Sequence, residues 1–310
     1  MRNHADAAGT SSAHQDAARE HAPRASWLAT TIARWTLRWS LFPGRQIIGL
    51  RQRRKARRWG GRPFRVPAGG GIELEAWFSP AARGKPARLP IVMAHGWIEV
   101  KECHFRRARW LNERGHDVIL FDHRAHGQSG GRYATFGVRE REDLAAVVAE
   151  ARRRGLIGPD QRYISFGYSM GASTVLQHAP HDPQVAGVVA MAPFVDFREA
   201  VRSFKQMIAP WISDNWLLCG FERAIGEAGF EWEETSVRDA LARTSVPVLM
   251  IEAGCDVNLP PEQHTRELMA IDRVGPLEVV SICDADHCTL TRKTWRQLNR
   301  AVGRFCQSLS

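Results

Sequence analysis

From about residue 68 the chain alternates short β-branched and apolar runs with longer amphipathic stretches. That rhythm predicts parallel strands joined by crossover helices. The expected strands are IELEAWF (72–78), PIVMAH (90–95), DVILFD (117–122), RYISFGY (162–168), VAGVVAMA (185–192), VPVLMIEA (246–253) and LEVVSIC (277–283). Several are apolar at successive positions and so on both faces, which suits a sheet covered by helices on both sides. Helices are predicted near 103–114, 139–154, 170–178 and 291–307. Between Met191 and Val246 the rhythm breaks for about fifty residues rich in aromatics, among them Phe197, Phe204, Trp211, Trp216, Phe221 and Trp232. A plain crossover needs far fewer, so a small helical cap insertion is expected over 196–243, dividing the core into 68–195 and 244–310. Most of the insertion's aromatic side chains should pack it to the body, leaving a few to face a ligand.

The leader, residues 1–67, reads differently. Residues 1–25 mix Ala, Ser, His and charged residues without periodicity, and disorder is expected there. WLATTIARWTLRWSLF then sets Leu28, Ile32, Trp35, Trp39 and Phe42 at spacings of four and three, a stripe along one helical face, with Arg34 and Arg38 on another. Pro43 and Gly44 stop the helix, and RQRRKARR follows. Two readings stay open. Either the stripe docks on the body with the arginines solvated, or residues 26–58 make peripheral contact with an anionic membrane.

Charge sharpens this contrast. The net charge of +10 resides in the leader, where residues 1–67 carry 14 Lys and Arg against 3 Asp and Glu, while the remainder carries 29 against 30. The body is therefore near neutral, and no nucleic-acid-reading module accompanies the arginine run, so nucleic-acid binding is not expected. The six cysteines follow no repeated spacing and are expected as reduced thiols of a cytoplasmic protein, with attachment at the inner membrane surface as the alternative. Cys283 and Cys288 flank Asp284, Asp286 and His287, but no second ligand pair stands at zinc-like spacing, so no metal is expected. No run reaches the ~18 apolar residues of a membrane span, and the polar opening argues against a cleavable signal peptide. The sequence carries no signal of oligomeric state.

The chemistry is concentrated in Gly167-Tyr168-Ser169-Met170-Gly171, a G-x-S-x-G run directly after the strand RYISF and before the helical ASTVLQHA. The glycines allow a sharp turn that lifts the Ser169 hydroxyl above the sheet at the positive end of a helix. A serine hydroxyl needs a base, and the base needs a carboxylate to orient it. Asp256 follows the strand VPVLMIEA and His287 follows LEVVSIC, both on loops leaving the carboxyl ends of strands, where open α/β sheets bind ligands. Glu252, Asp284 and Asp286 are weaker candidates for the acid, the first because it lies inside a strand and the others because they crowd His287 in sequence. The developing oxyanion needs donors, assigned to the backbone N–H groups of Met170 and of Trp97 in His95-Gly96-Trp97. His95 is expected to support that loop. Tyr168, Trp211 and Trp216 are the candidates for substrate contact.

These segments, with Asp122-His123-Arg124-Ala125-His126-Gly127-Gln128-Ser129-Gly130, resemble the α/β-hydrolase superfamily, in the group of small-capped serine esterases, lipases and peptidases. The likeness spans residues 68–308 and leaves out the leader. It implies an α/β-hydrolase fold, a Ser169–His287–Asp256 triad, a structural role for the 122–130 turn, and no metal or organic cofactor. Ala125 departs from the Arg-Gly that such turns often carry. The implied activity is hydrolysis of an ester-like bond in a small acyl substrate, apolar or lipid-like in view of the aromatic insertion. An acyltransferase, thioesterase or serine peptidase on the same residues, or a non-catalytic binding protein of this fold, are the alternatives.

Overall fold

The computed structural model describes residues 27–38, 57–58, 60–287 and 291–309. The expected disorder of residues 1–25, together with Trp39, Phe42 and most of the arginine run, lies outside the described residues. Eight strands form one sheet: β1 (Arg62–Ala68), β2 (Ile72–Ser79), β3 (Ile91–Ala94), β4 (Val118–Phe121), β5 (Tyr163–Tyr168), β6 (Val185–Met191), β7 (Val248–Ala253) and β8 (Leu277–Ile282). Their order is β1-β2-β4-β3-β5-β6-β7-β8. β2 runs antiparallel to both β1 and β4, and every other pairing is parallel.

All seven expected strands form, and β1 is added. Its sequence RPFRVPA holds Pro63 and Pro67, which disguise a strand but are tolerated at a sheet edge, where one row of N–H groups has no ladder partner. Phe64 and Val66 point inward from it. The sheet therefore starts inside the segment read as leader, at residue 62 rather than 68.

Helices cover both faces. β3 and β4 are buried at every position, and alternate side chains divide between two cores as the strand period of two requires. Ile91, Met93, Val118 and Leu120 join the layer under α2 (Phe105–Asn112) and α9 (Arg292–Ser308). Val92, Ala94, Ile119 and Phe121 join the layer under α3 (Glu140–Arg153) and α4 (Met170–His178). The 196–243 interval folds into α5 (Phe197–Ile208), α6 (Asp214–Ala228) and α7 (Val237–Arg243), and α8 (Thr265–Met269) follows β7. Side chains of Asp196, Ser213 and Ser236 cap the three insertion helices by accepting N–H bonds three residues on. The insertion is held by its aromatics: Phe197 stacks on Phe136 at 3.7 Å and meets Phe221 and Trp232 at 5.6 and 5.5 Å.

α1 (Trp27–Leu37) packs on α6, and of the expected stripe's described residues only Ile32 is partly buried against the core. Ala29, Thr30, Ala33, Thr36 and Leu37 are buried, whereas Trp27 (77 % exposed), Leu28 and Trp35 (55 %) face outward. Small side chains let the helices approach so closely that a Cβ on Gly220 would lie 2.5 Å from the Ala29 carbonyl carbon. Arg34 is not merely solvated, because it pairs with Glu227 on α6. Among the described residues no helix is long and apolar enough to cross a membrane.

Candidate active site

β5 ends at Tyr168 and α4 begins at Met170, so Ser169 makes the turn between them. It sits at φ 51°, ψ −119°, a strained conformation costing about 1–3 kcal/mol for a side-chain-bearing residue. The two glycines make the turn sterically feasible. A Cβ on Gly167 would lie 2.1 Å from the Gly171 carbonyl oxygen, and one on Gly171 would lie 2.3 Å from that of Ala94. The Ser169 N–H donates to the Met191 carbonyl at 2.9 Å, tying the turn to β6.

Three loops from the carboxyl ends of β5, β7 and β8 converge here. Ser169 Oγ lies 2.9 Å from His287 Nε2, and His287 Nδ1 lies 2.6 Å from Asp256 Oδ2. The other Asp256 oxygen accepts the N–H groups of Asn258 (3.0 Å) and Leu259 (2.8 Å), so the carboxylate is held on both sides. With Nδ1–H donating to the carboxylate, Nε2 is left to accept the serine proton. All three residues are buried. Of the other carboxylates, Glu252 is occupied by Ser281 Oγ and Arg266, and Asp284 by Lys293.

The loop after β3 faces this chain. His95 Nδ1–H donates to the Gly96 carbonyl at 2.7 Å, and its Nε2 accepts the His123 N–H at 3.0 Å. The neutral ring thus links the β3 loop to the 122–130 turn, the supporting role expected of it. Asp122 braces the same turn by accepting from Lys101 N, Lys101 Nζ and Gln128 N. Ala125 stands at φ 58°, the left-handed region that glycine would occupy without strain. Trp97 lies under α1, donating its indole N–H to the Thr36 carbonyl at 3.2 Å, and Ile98 after it is also left-handed at φ 61°. Met170 N is a first-turn amide of α4, with no acceptor inside its own helix.

Comparisons with known proteins agree with this architecture. A family model described as serine aminopeptidase, S33, matches residues 85–224. Uncharacterized protein YfhR of Escherichia coli K12 is 26 % identical over 232 residues, 74 % of each chain. YqkD of Bacillus subtilis is 28 % identical over 257 residues, covering 80 % of this chain and 79 % of its own. The esterase Pf2001 of Pyrococcus furiosus superposes with a TM-score of 0.64 at 22 % identity, covering 82 % of this chain and 93 % of its own. The chain has the α/β-hydrolase fold.

Two spaces flank His287 in this fold. On one side a cavity of about 250 Å³ is lined by Tyr168, His287, Met191, Phe166, Trp295 and His104, with Glu99, Arg106 and Arg107 supplying charge. On the other, Phe204 of α5 meets the imidazole edge-on at 5.9 Å and Trp97 at 6.0 Å. Beyond Trp97 lies an apolar groove of about 430 Å³ between α1 and α5, bounded by Ile32, Trp35, Thr36 and Ile208. Tyr168 lines the first of these spaces, its ring 5.4 Å from that of His287. Trp211 (71 % exposed) and Trp216 (44 %) do not line either space; they sit at the outer turn and first turn of the insertion helices. The insertion reaches the site through Phe204 instead. Arg107 and Trp295 went unremarked in the sequence because FRRARW and RKTWRQ read as ordinary charged helix faces. Among the described residues no group of three His, Cys, Asp or Glu side chains is placed to hold a metal ion.

Proposed function

We propose that this α/β-hydrolase is a serine hydrolase that cleaves an ester of an apolar acyl group. The observation that carries the reading is the continuous hydrogen-bonded chain Asp256–His287–Ser169. Ser169 Oγ attacks the carbonyl carbon while His287 Nε2 takes the hydroxyl proton, and Asp256 holds the imidazole in the Nδ1–H form and stabilises its charge. The backbone N–H groups of Met170 and Trp97 receive the oxyanion. His287 returns the proton to the leaving oxygen, and water releases the acyl-enzyme by the same steps in reverse order. Apolar acyl selection is supported by the groove between α1 and α5, and an ester by the esterase Pf2001 among the fold's neighbours. Labelling with an uncharged fluorophosphonate probe tests the nucleophile: wild type labels and Ser169→Ala does not. Labelling that survives in Ser169→Ala overturns the assignment.

The serine aminopeptidase description of the matching family model favours a second reading, hydrolysis of an amide at a peptide amino terminus. Matched p-nitrophenyl esters and aminoacyl p-nitroanilides separate the two, with ester turnover expected to dominate. Outward-facing Trp27 and Trp35, beside a leader rich in arginine, further support peripheral contact with an anionic bilayer. Co-sedimentation with phosphatidylglycerol vesicles, lost in Trp27→Ala/Trp35→Ala, is the expected result; equal sedimentation of the variant excludes these tryptophans as the anchor.

A further inference from the structure

The fold pairs its other deeply buried cations beside the site with carboxylates. Lys101 Nζ lies 2.6 Å from Asp122, and the Arg124 guanidinium lies 2.6 Å from Asp143. Arg107 breaks this pattern. It projects from α2 into the wall of the cavity that His287 also lines, and it is only 4 % exposed. Its guanidinium lies 4.4 Å from the Trp295 ring and 5.2 Å from that of Phe166, and its hydrogen bond to Asn299 Oδ1 is long, at 3.4 Å. Among the described residues no carboxylate stands within salt-bridge distance of it.

A buried charge without a counter-charge is costly, and aromatic faces offset part of that cost only. Burial pushes the guanidinium down to about 9, which still leaves it protonated at neutral pH. The acid that shares the cavity does not fill the role. Glu99 stabilises the Arg107 charge only from beyond salt-bridge distance, and its Oε2 already accepts from His104 Nε2 at 3.0 Å and from the Gly96 N–H at 2.7 Å. Arg106, exposed at the rim with its guanidinium 4.6 Å from the Trp295 ring, adds a second cation to the same wall. The cavity therefore carries a surplus of positive charge, is large enough at about 250 Å³ for a small charged group, and opens directly onto the imidazole that serves the nucleophile.

We propose that Arg107, assisted by Arg106, binds an anionic oxyacid group of the substrate, a carboxylate or phosphate borne a few atoms from the bond that Ser169 attacks. The inference rests on the serine-hydrolase reading and deepens it: the apolar groove takes one part of the substrate, and the cationic cavity takes a charged part. A guanidinium fork suits both oxyacids, because each offers two oxygens at matching separation.

The test uses the full chain and matched pairs of charged and neutral substrates. p-Nitrophenyl hemiglutarate is set against p-nitrophenyl valerate, 4-acetoxybenzoate against its methyl ester, and an acetylated hydroxyalkyl phosphate against the acetylated diol. Wild type should favour the anion in kcat/KM in at least one pair, and which pair it is distinguishes carboxylate from phosphate. Arg107→Met should cut that preference by about 10- to 100-fold, the worth of a charge-assisted hydrogen bond. Arg107→Lys should restore part of it. Preference that is absent from all three pairs, or unchanged in Arg107→Met, overturns the proposal. Should Arg107→Met fail to fold, Arg106→Ala and inhibition of valerate ester turnover by free glutarate or inorganic phosphate decide. Competitive inhibition weakened in Arg106→Ala supports the site, and no inhibition overturns it. Fluorophosphonate labelling of Ser169 is read in parallel with an uncharged probe, so a protein that labels but ignores charge loses only this inference.

Discussion

At the scale of single residues, the site depends on where side chains are forbidden as much as on where they are present. Gly171 touches the backbone of the β3 strand end, so Gly171→Ala must push Ala94 or the start of α4 away. That change is expected to cost about 1–3 kcal/mol of stability or more, read as a lowered urea midpoint, and to slow probe labelling by displacing the Met170 amide. Asp256→Asn tests a different kind of dependence. An amide retains nearly the same volume but offers His287 Nδ1 a donor or a weaker acceptor, so the ring loses its required tautomer. kcat is expected to fall by about 10⁴-fold with little change in Tm, as in other hydrolases where that carboxylate is replaced. A loss below about tenfold would show that Asp256 does not orient the imidazole.

At the scale of elements, α1 connects a segment outside the family resemblance to the middle of the site. Its carboxyl-terminal carbonyls receive the Trp97 indole N–H and the Ala134 N–H, and its side chains form one wall of the apolar groove. The docking depends on the absence of a side chain at Gly220. Gly220→Val should separate α1 from α6, exposing Arg34 and Arg38 to trypsin and lowering preference for long-chain over short-chain p-nitrophenyl esters. Unchanged proteolysis together with an unchanged chain-length profile would refute the coupling of α1 to the groove. The stripe of Leu28 and Trp35 failed as a guide to the docking face because hydrophobic periodicity reports which face is apolar, whereas close helix packing selects small side chains. Two apolar faces therefore lie on one helix, and the smaller residues form the buried one.

At the scale of the whole molecule, stability should couple to pH through the buried histidines that join the β3 loop to the 122–130 turn. His95, His123 and His126 lie with ring centroids 4.7, 5.2 and 6.4 Å apart and have no exposed edge. Burial lowers the affinity of all three for a proton, taking His126 to about 3. A histidine that ionises less readily when folded leaves the unfolded chain binding more protons between the two values. Stability is then full above the ordinary histidine range near pH 6.5 and falls as pH drops through the window toward 3, with a slope of about 1.4 kcal/mol per pH unit for each proton. Urea midpoints measured from pH 7.5 to 4.5 should fall accordingly, and His126→Gln should flatten the slope by up to one proton. A midpoint independent of pH across that range would contradict the linkage.

The local chain determined a great deal here, because strand period, crossover rhythm and the G-x-S-x-G turn are properties of neighbouring residues. Those patterns placed seven of the eight strands and put Ser169, Asp256 and His287 on loops at one edge of the sheet, while β1 escaped because two prolines mask its alternation. Tertiary structure alone decided which equivalent-looking residues matter. Arg106 and Arg107 are adjacent and chemically identical, yet one is exposed and the other buried against Trp295, nearly two hundred positions away. Phe204, rather than Trp211 or Trp216, meets His287 because the direction in which the insertion folds back onto the sheet selects its inner face. Burial is a sum over contacts from distant segments, and no window of sequence contains that sum.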